Sequence, residues 1–190
     1  YQGCQGARSS AKSHKAECLM SVRPVSRMSG CQDQKSHKKQ AEKMMTRELE
    51  IYIHIPFCVR KCAYCDFLSG PADQKTQEQY TDALIREIQA FPNAEQYVVC
   101  SVFIGGGTPS VLSQEAIGRI LEAVRRKFHF VSEIDGDFGS VEITIECNPG
   151  TAGEEKLSYY RKIGINRLSL GLQSADNREL ALLGRIHTWE

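Results

Sequence analysis

From Ile51 onward the sequence repeats one unit, an apolar run of strand length followed by a loop and an amphipathic helix, and this rhythm restricts the chain to an α/β fold. Ile51, Ile53 and Ile55 alternate with Tyr52 and His54, the pattern of a strand with one covered face. Thr76 followed by Gln79 reads as a capping box that opens a helix with Tyr80, Leu84, Ile88 and Phe91 on its apolar stripe. Val98 to Ile104 is apolar but for Ser101, which predicts a strand covered on both faces. Ser113 is expected to cap a second helix carrying Ile117, Ile120, Leu121, Val124 and Phe128. Val141 to Cys147 alternates again and sets Glu142, Thr144 and Glu146 opposite Val141, Ile143 and Ile145. A third helix is predicted near 153–163, a fourth strand over 166–171, and a fourth helix from near Ala175 through Leu183.

Four consecutive βα units require parallel strands, because each helix supplies the crossover between them. The expected architecture is a partial (βα) barrel, with parallel strands inside and helices outside. A closed eightfold barrel takes about 250 residues. Residues 45–190 are therefore expected to be the N-terminal part of a barrel domain, truncated, with an unpaired edge strand, an exposed helix-facing surface and poor solubility. Residues 1–44 are rich in Ser, Gln, Lys and Arg with no apolar period, and are expected to be a disordered or foreign leader ahead of Met45.

Charge narrows the partners. Lys plus Arg number 24 against 23 Asp plus Glu, so no bulk field draws in nucleic acid or an anionic membrane. No stretch approaches the roughly 20 apolar residues of a membrane helix, and a cytoplasmic protein is the expectation.

Of eight cysteines, Cys58, Cys62 and Cys65 crowd into one loop at the end of the first predicted strand, while Cys4, Cys18, Cys31, Cys100 and Cys147 are scattered. Clustered thiols in a reducing compartment bind metal or do chemistry rather than pair as disulfides. Parallel α/β folds place their chemistry at the C-terminal ends of strands, where this loop lies. Three thiolates can hold three irons of a four-iron cubane and leave the fourth open, whereas four cysteines close every position. Structural zinc would want a second pair of ligands, which the sequence does not offer at suitable spacing. A redox pair of Cys62 and Cys65 would leave Cys58 unexplained. Cys100 and Cys147 lie in apolar patterns and read as buried, inert thiols.

Five motifs now fall in order: the stretch from Tyr52 to Phe57, the C-x3-C-x2-C loop, Gly105-Gly-Gly-Thr-Pro109, Glu146-Cys-Asn-Pro149 and Gly171-Leu-Gln-Ser174. They resemble the radical S-adenosylmethionine (SAM) superfamily, and within it the oxygen-independent coproporphyrinogen III oxidase-like group, over residues 50–187. The true oxidases of that group carry a further cysteine two residues beyond the third ligand, where this chain has Phe67. That departure resembles the heme chaperone branch. The resemblance implies a [4Fe-4S] cluster on Cys58, Cys62 and Cys65, SAM at the open iron, and heme as possible cargo. It further implies an electron donor protein and a heme-accepting protein as partners. The alternatives are a coproporphyrinogen III oxidase acting on porphyrinogen, and an inactive truncated fragment.

The resemblance also assigns SAM-binding roles, each beside a plainer reading. Gly106, Gly107 and Thr108 would approach the cofactor or a second SAM, or simply make a tight turn. Glu146 is aimed by its strand into the barrel lumen, where it would accept hydrogen bonds from SAM or remain a solvated acid. Tyr52 would meet the cofactor or sit half-buried as a core tyrosine, and Tyr64 would offer its backbone or ring to the adenine. Gln173 and Arg185 match positions of the second SAM or substrate site, although Arg185 would equally suit a helix C-terminus. His54 reads as structural or as a heme ligand, and Arg60 and Lys61 as solvated loop charges.

Overall fold

The structure is a computed structural model and describes residues 20–24, 47–131 and 141–190. Among these residues the frame is one sheet of six strands: β1 (Met20–Pro24), β2 (Arg47–Ile55), β3 (Tyr97–Gly106), β4 (His129–Phe130), β5 (Glu142–Cys147) and β6 (Arg167–Leu170). The order is β1-β2-β3-β5-β6, with the short β4 pairing β3 at Val98 and Val99 just below the β5 contact. All pairings are parallel except β1 with β2. Among the described residues four α-helices accompany the strands: α1 (Gln74–Ala90), α2 (Gln114–Lys127), α3 (Glu154–Lys162) and α4 (Asn177–Leu182). The structure thus has the α/β class and partial parallel barrel that the periodicity implies. None of these helices is long and apolar enough to cross a membrane.

Packing explains the helix-facing side of the sheet. Leu49, Ile51, Ile53 and Ile55 of β2, Val102 and Ile104 of β3, and Ile143 and Ile145 of β5 are buried against Leu84 and Ile88 of α1 and Ile117, Ile120, Leu121 and Val124 of α2. Each such side chain contributes about 1.5–3 kcal/mol by leaving water, so this layer fixes the register that aims alternate residues at the other face.

Three expectations need correction. The leader is not structureless throughout: Met20–Pro24 forms β1, because its backbone pairs with the outer edge of β2, Met20 opposite Ile53 and Val22 opposite Ile51. The rest of the span 1–44 lies outside the described residues. Helix α1 starts before Thr76: Asp73, in extended backbone, caps it by accepting from the Thr76 N–H at 2.8 Å. Strand β3 is not covered evenly on both faces; Val102 and Ile104 are buried, while Ser101 and Phe103, before and between them, are only half-buried.

Candidate functional site

The C-terminal rim of the sheet carries a cavity of about 420 Å³. Its floor and one wall are the loop after β2. That loop closes on itself, the Cys58 N–H donating to the Gly70 carbonyl and the Gly70 N–H to the Pro56 carbonyl, both at 3.0 Å. The turn after β3 is stitched to its start: Gly107 N–H donates to the Ile55 carbonyl at 2.8 Å and Thr108 N–H to the Phe57 carbonyl at 2.7 Å. This close approach explains the glycines. A Cβ on Gly107 would stand 2.6 Å from the Phe57 carbonyl oxygen and 2.9 Å from Cys58 Sγ. Gly106 has φ of 120°, where a side chain is strained in any case.

Strand β5 delivers Glu146 to the same rim, half-buried, its Oε2 accepting from the Gly106 N–H at 2.9 Å. Helix α4 delivers Arg185 from further along the chain. The helix ends in a Schellman motif, with the Gly184 N–H on the Ala181 carbonyl and the Arg185 N–H on the Leu180 carbonyl at 2.8 Å, Gly184 taking the left-handed φ of 75° that this motif demands. That turn brings Arg185 to the cavity. Its guanidinium donates to Cys62 Sγ at 3.4 Å, to Asn148 Oδ1 at 2.7 Å and to the Gly171 carbonyl at 2.5 Å. Two more bonds dock the cysteine loop on the same helix end: Ala63 N–H to the Leu183 carbonyl at 3.2 Å and Arg60 Nη2 to the Gly184 carbonyl at 2.6 Å.

Cys58, Cys62, Cys65, Tyr64, Gly106, Gly107, Thr108, Glu146, Gln173 and Arg185 all line this one cavity. Gln173 does so with a left-handed φ of 75°, uncommon for a residue with a Cβ and frequent at ligand sites. Tyr52 does not line it. That residue lies one step back on the concave face, stacked on Phe103 with ring centroids 6.0 Å apart and bonded to His54 Nδ1 at 3.1 Å. Burial and then the negative charge of Glu146 hold its hydroxyl above the ordinary tyrosine range. Arg60 and Lys61, read from sequence as solvated, line the cavity, as does Phe67. Asn148 escaped the sequence reading, although it stands inside the Glu146-Cys-Asn-Pro149 motif that could have pointed to it.

Among the described residues no three His, Cys, Asp or Glu side chains form a group suited to a single metal ion. The three thiols line the same cavity. The donor set fits an anionic group: thiols are met by Thr108 and Arg185 donors, and the buried Nε–H of Arg185 has no acceptor among the described residues. Cys147 is fully buried and its thiol is pushed above the ordinary value by that burial. Cys100 is only half-buried, and its thiol, raised chiefly by burial, sits 3.4 Å from the Leu49 carbonyl.

A parallel strand array with a three-cysteine loop at its rim is the frame of the radical SAM superfamily, and the chain belongs to it: the family model described as the Radical SAM superfamily matches residues 52–190. Among curated proteins it is 42% identical over 145 residues to "Heme chaperone HemW" of Haemophilus influenzae, covering 73% of this chain and 36% of that protein. It is 37% identical to "Radical S-adenosyl methionine domain-containing protein 1, mitochondrial" of Bos taurus, covering 73% of this chain and 30% of that one. Among solved structures it resembles coproporphyrinogen III oxidase (HemN) from Escherichia coli, with a TM-score of 0.61 and 32% identity over 72% of this chain and 30% of that one. The chain thus spans about a third of the length of the relatives it matches.

Proposed function

We propose that the chain is the SAM-binding part of a heme chaperone-like protein that holds a [4Fe-4S] cluster on Cys58, Cys62 and Cys65. The observation that carries this reading is the gathering of three loop thiols, the glycine turn and Arg185 around one cavity at the strand ends. Similarity to a protein named heme chaperone supports the chaperone assignment, as does Phe67 lining the cavity where oxidases of the group carry a further cysteine. When bound, cluster and SAM supply one-electron reductive chemistry at the cofactor's sulfonium centre.

The remaining residues then have separable tasks. Gly106 and Gly107 let the cofactor approach the backbone, and Glu146 accepts its hydroxyl or amino hydrogens. Thr108, Gln173 and Arg185 bind its charged end or a second SAM. Tyr64 supports the adenine, and Tyr52 closes the lumen side. Heme is the proposed cargo, with an electron donor protein and a heme-accepting protein as partners. Three thiolates that must stay reduced suit the cytoplasm. Residues 45–190 are proposed to be the first part of a longer barrel domain.

The test is anaerobic reconstitution with iron and sulfide, followed by electron paramagnetic resonance with and without SAM. The expected result is a cubane signal that SAM perturbs, lost in Cys58→Ala, Cys62→Ala and Cys65→Ala. One tightly held zinc per chain and no cluster would overturn the reading. Hemin titration should show a bound species, and coproporphyrinogen should be left unchanged; formation of protoporphyrinogen would instead select the oxidase.

A further inference from the structure

Two of the three loop thiols are joined through a chain of side chains. Thr108 Oγ1 lies 3.6 Å from Cys58 Sγ, Asn148 Nδ2 donates to Thr108 Oγ1 at 2.8 Å, and Asn148 Oδ1 accepts from Arg185 Nη2 at 2.7 Å, while Arg185 Nη1 reaches Cys62 Sγ at 3.4 Å. The direction of every bond follows from chemistry. A guanidinium only donates, so the Asn148 oxygen must face Arg185 and its NH2 must face Thr108. Thr108 Oγ1, already accepting from that NH2, has its own proton free to point at Cys58 Sγ.

Backbone geometry holds Asn148 in this pose. Its N–H donates to Thr151 Oγ1 at 3.2 Å, and the Thr151 hydroxyl donates to the Asn148 carbonyl at 2.6 Å. The segment is fastened in turn by Lys156, whose Nζ donates to the Thr151 carbonyl at 3.4 Å and to the Ser110 and Leu112 carbonyls at 2.8 and 2.9 Å, tying it to the stretch that follows the glycine turn.

We infer that Asn148 is a positioning residue that sets the reduction potential of the cluster by orienting the Thr108 hydroxyl and the Arg185 guanidinium as donors to two of its thiolates. This rests on the cluster reading above. A hydrogen bond to sulfur stabilises the state with more negative charge, so these donors favour the reduced cluster. The step involved is the uptake of one electron from a chemical reductant, with no bond made or broken.

Replacing Asn148 by Asp is the sharpest test, because a carboxylate still accepts from Arg185 but now also accepts the Thr108 proton, turning that hydroxyl away from Cys58. The reconstituted full chain is titrated with dithionite against redox mediators, following the reduced signal by electron paramagnetic resonance. At fixed potential the reduced-to-oxidised ratio should fall about tenfold, about 59 mV for a one-electron couple. Thr108→Val, which removes the hydroxyl without adding charge, should move the potential the same way, and Thr108→Ser should restore it. Iron and sulfide per chain should match the parent in all three. An unchanged potential in both Asn148→Asp and Thr108→Val, with the cluster in place, would overturn the inference and leave the cluster reading standing. Failure of the parent chain to assemble a cubane would remove that reading and this inference together.

Discussion

Gly107 shows how much of the site rests on the absence of one carbon. The turn after β3 comes so close to the cysteine loop that any Cβ there overlaps the Phe57 carbonyl and the Cys58 sulfur. Gly107→Ala should therefore cost about 1–3 kcal/mol, the usual range for overpacking, and should lower iron bound per chain after reconstitution. Full iron loading in that variant would show that the loop can retreat freely. At this scale the sequence was informative about residue types and less so about partners. The three cysteines, the glycines and Glu146 could be placed at the rim from spacing and alternation. Asn148 could not, because its importance comes from standing between Thr108 and Arg185, residues 40 and 37 positions away along the chain. Tyr52 was placed on the correct face, yet period alone does not say how far along a lumen a side chain stands from the rim.

Among the elements, helix ends decide more than helix bodies. The apolar stripes of α1 and α2 were readable because burial against a sheet imposes a period of 3.6 residues. Cap identity was not: Thr76 and Asp73 are both good caps three residues apart, and only the backbone conformation of Asp73 separates them. The end of α4 matters most for the site, since the left-handed Gly184 turns Arg185 inward. Gly184→Ala should destabilise by roughly 1–2 kcal/mol, the cost of a left-handed residue with a Cβ, measured as a lower denaturant midpoint with an unchanged slope. If the Schellman turn is what aims the guanidinium, the same variant should shift the cluster potential in the direction predicted for Asn148→Asp. The uneven cover of β3 was hidden for a related reason. A run that is apolar but for Ser101 does not report that Phe103 packs on Tyr52 rather than under a helix.

For the molecule as a whole, two features bear on stability and solubility. Tyr160 is buried at 1% exposure, its hydroxyl has no partner among the described residues, and burial followed by the nearby Cys147 holds its pKa well above the ordinary 10.0. A group with a raised folded pKa contributes fully below its unfolded value and loses that contribution as pH rises through the folded one. Tyr160→Phe should thus be more stable by about 1 kcal/mol at neutral pH, having shed an unsatisfied hydroxyl, and its advantage should widen above pH 10.0. Urea unfolding at a series of pH values checks both. The second feature is β6, the edge strand, where Leu168 and Leu170, opposite Ile145 and Cys147 of β5, are 41% and 62% exposed. Two apolar side chains open to water on an edge strand mark an association site, so the chain should self-associate with rising concentration, and Leu168→Lys should reduce that in sedimentation or light scattering. The fold class was legible because four βα units leave few arrangements. The edge pairing of β1 was not, since five residues without a marked period give no direction.

Arg185 lies 123 positions beyond the thiol it holds, and the cysteine loop is clasped by three successive residues of that same helix end. During synthesis the loop would emerge long before its clasp. If the loop holds iron as proposed, delivery before the fourth helix has left the ribosome would meet a loop fastened only at Gly70 and at the turn after β3, while later delivery would meet one already clasped by Leu183, Gly184 and Arg185.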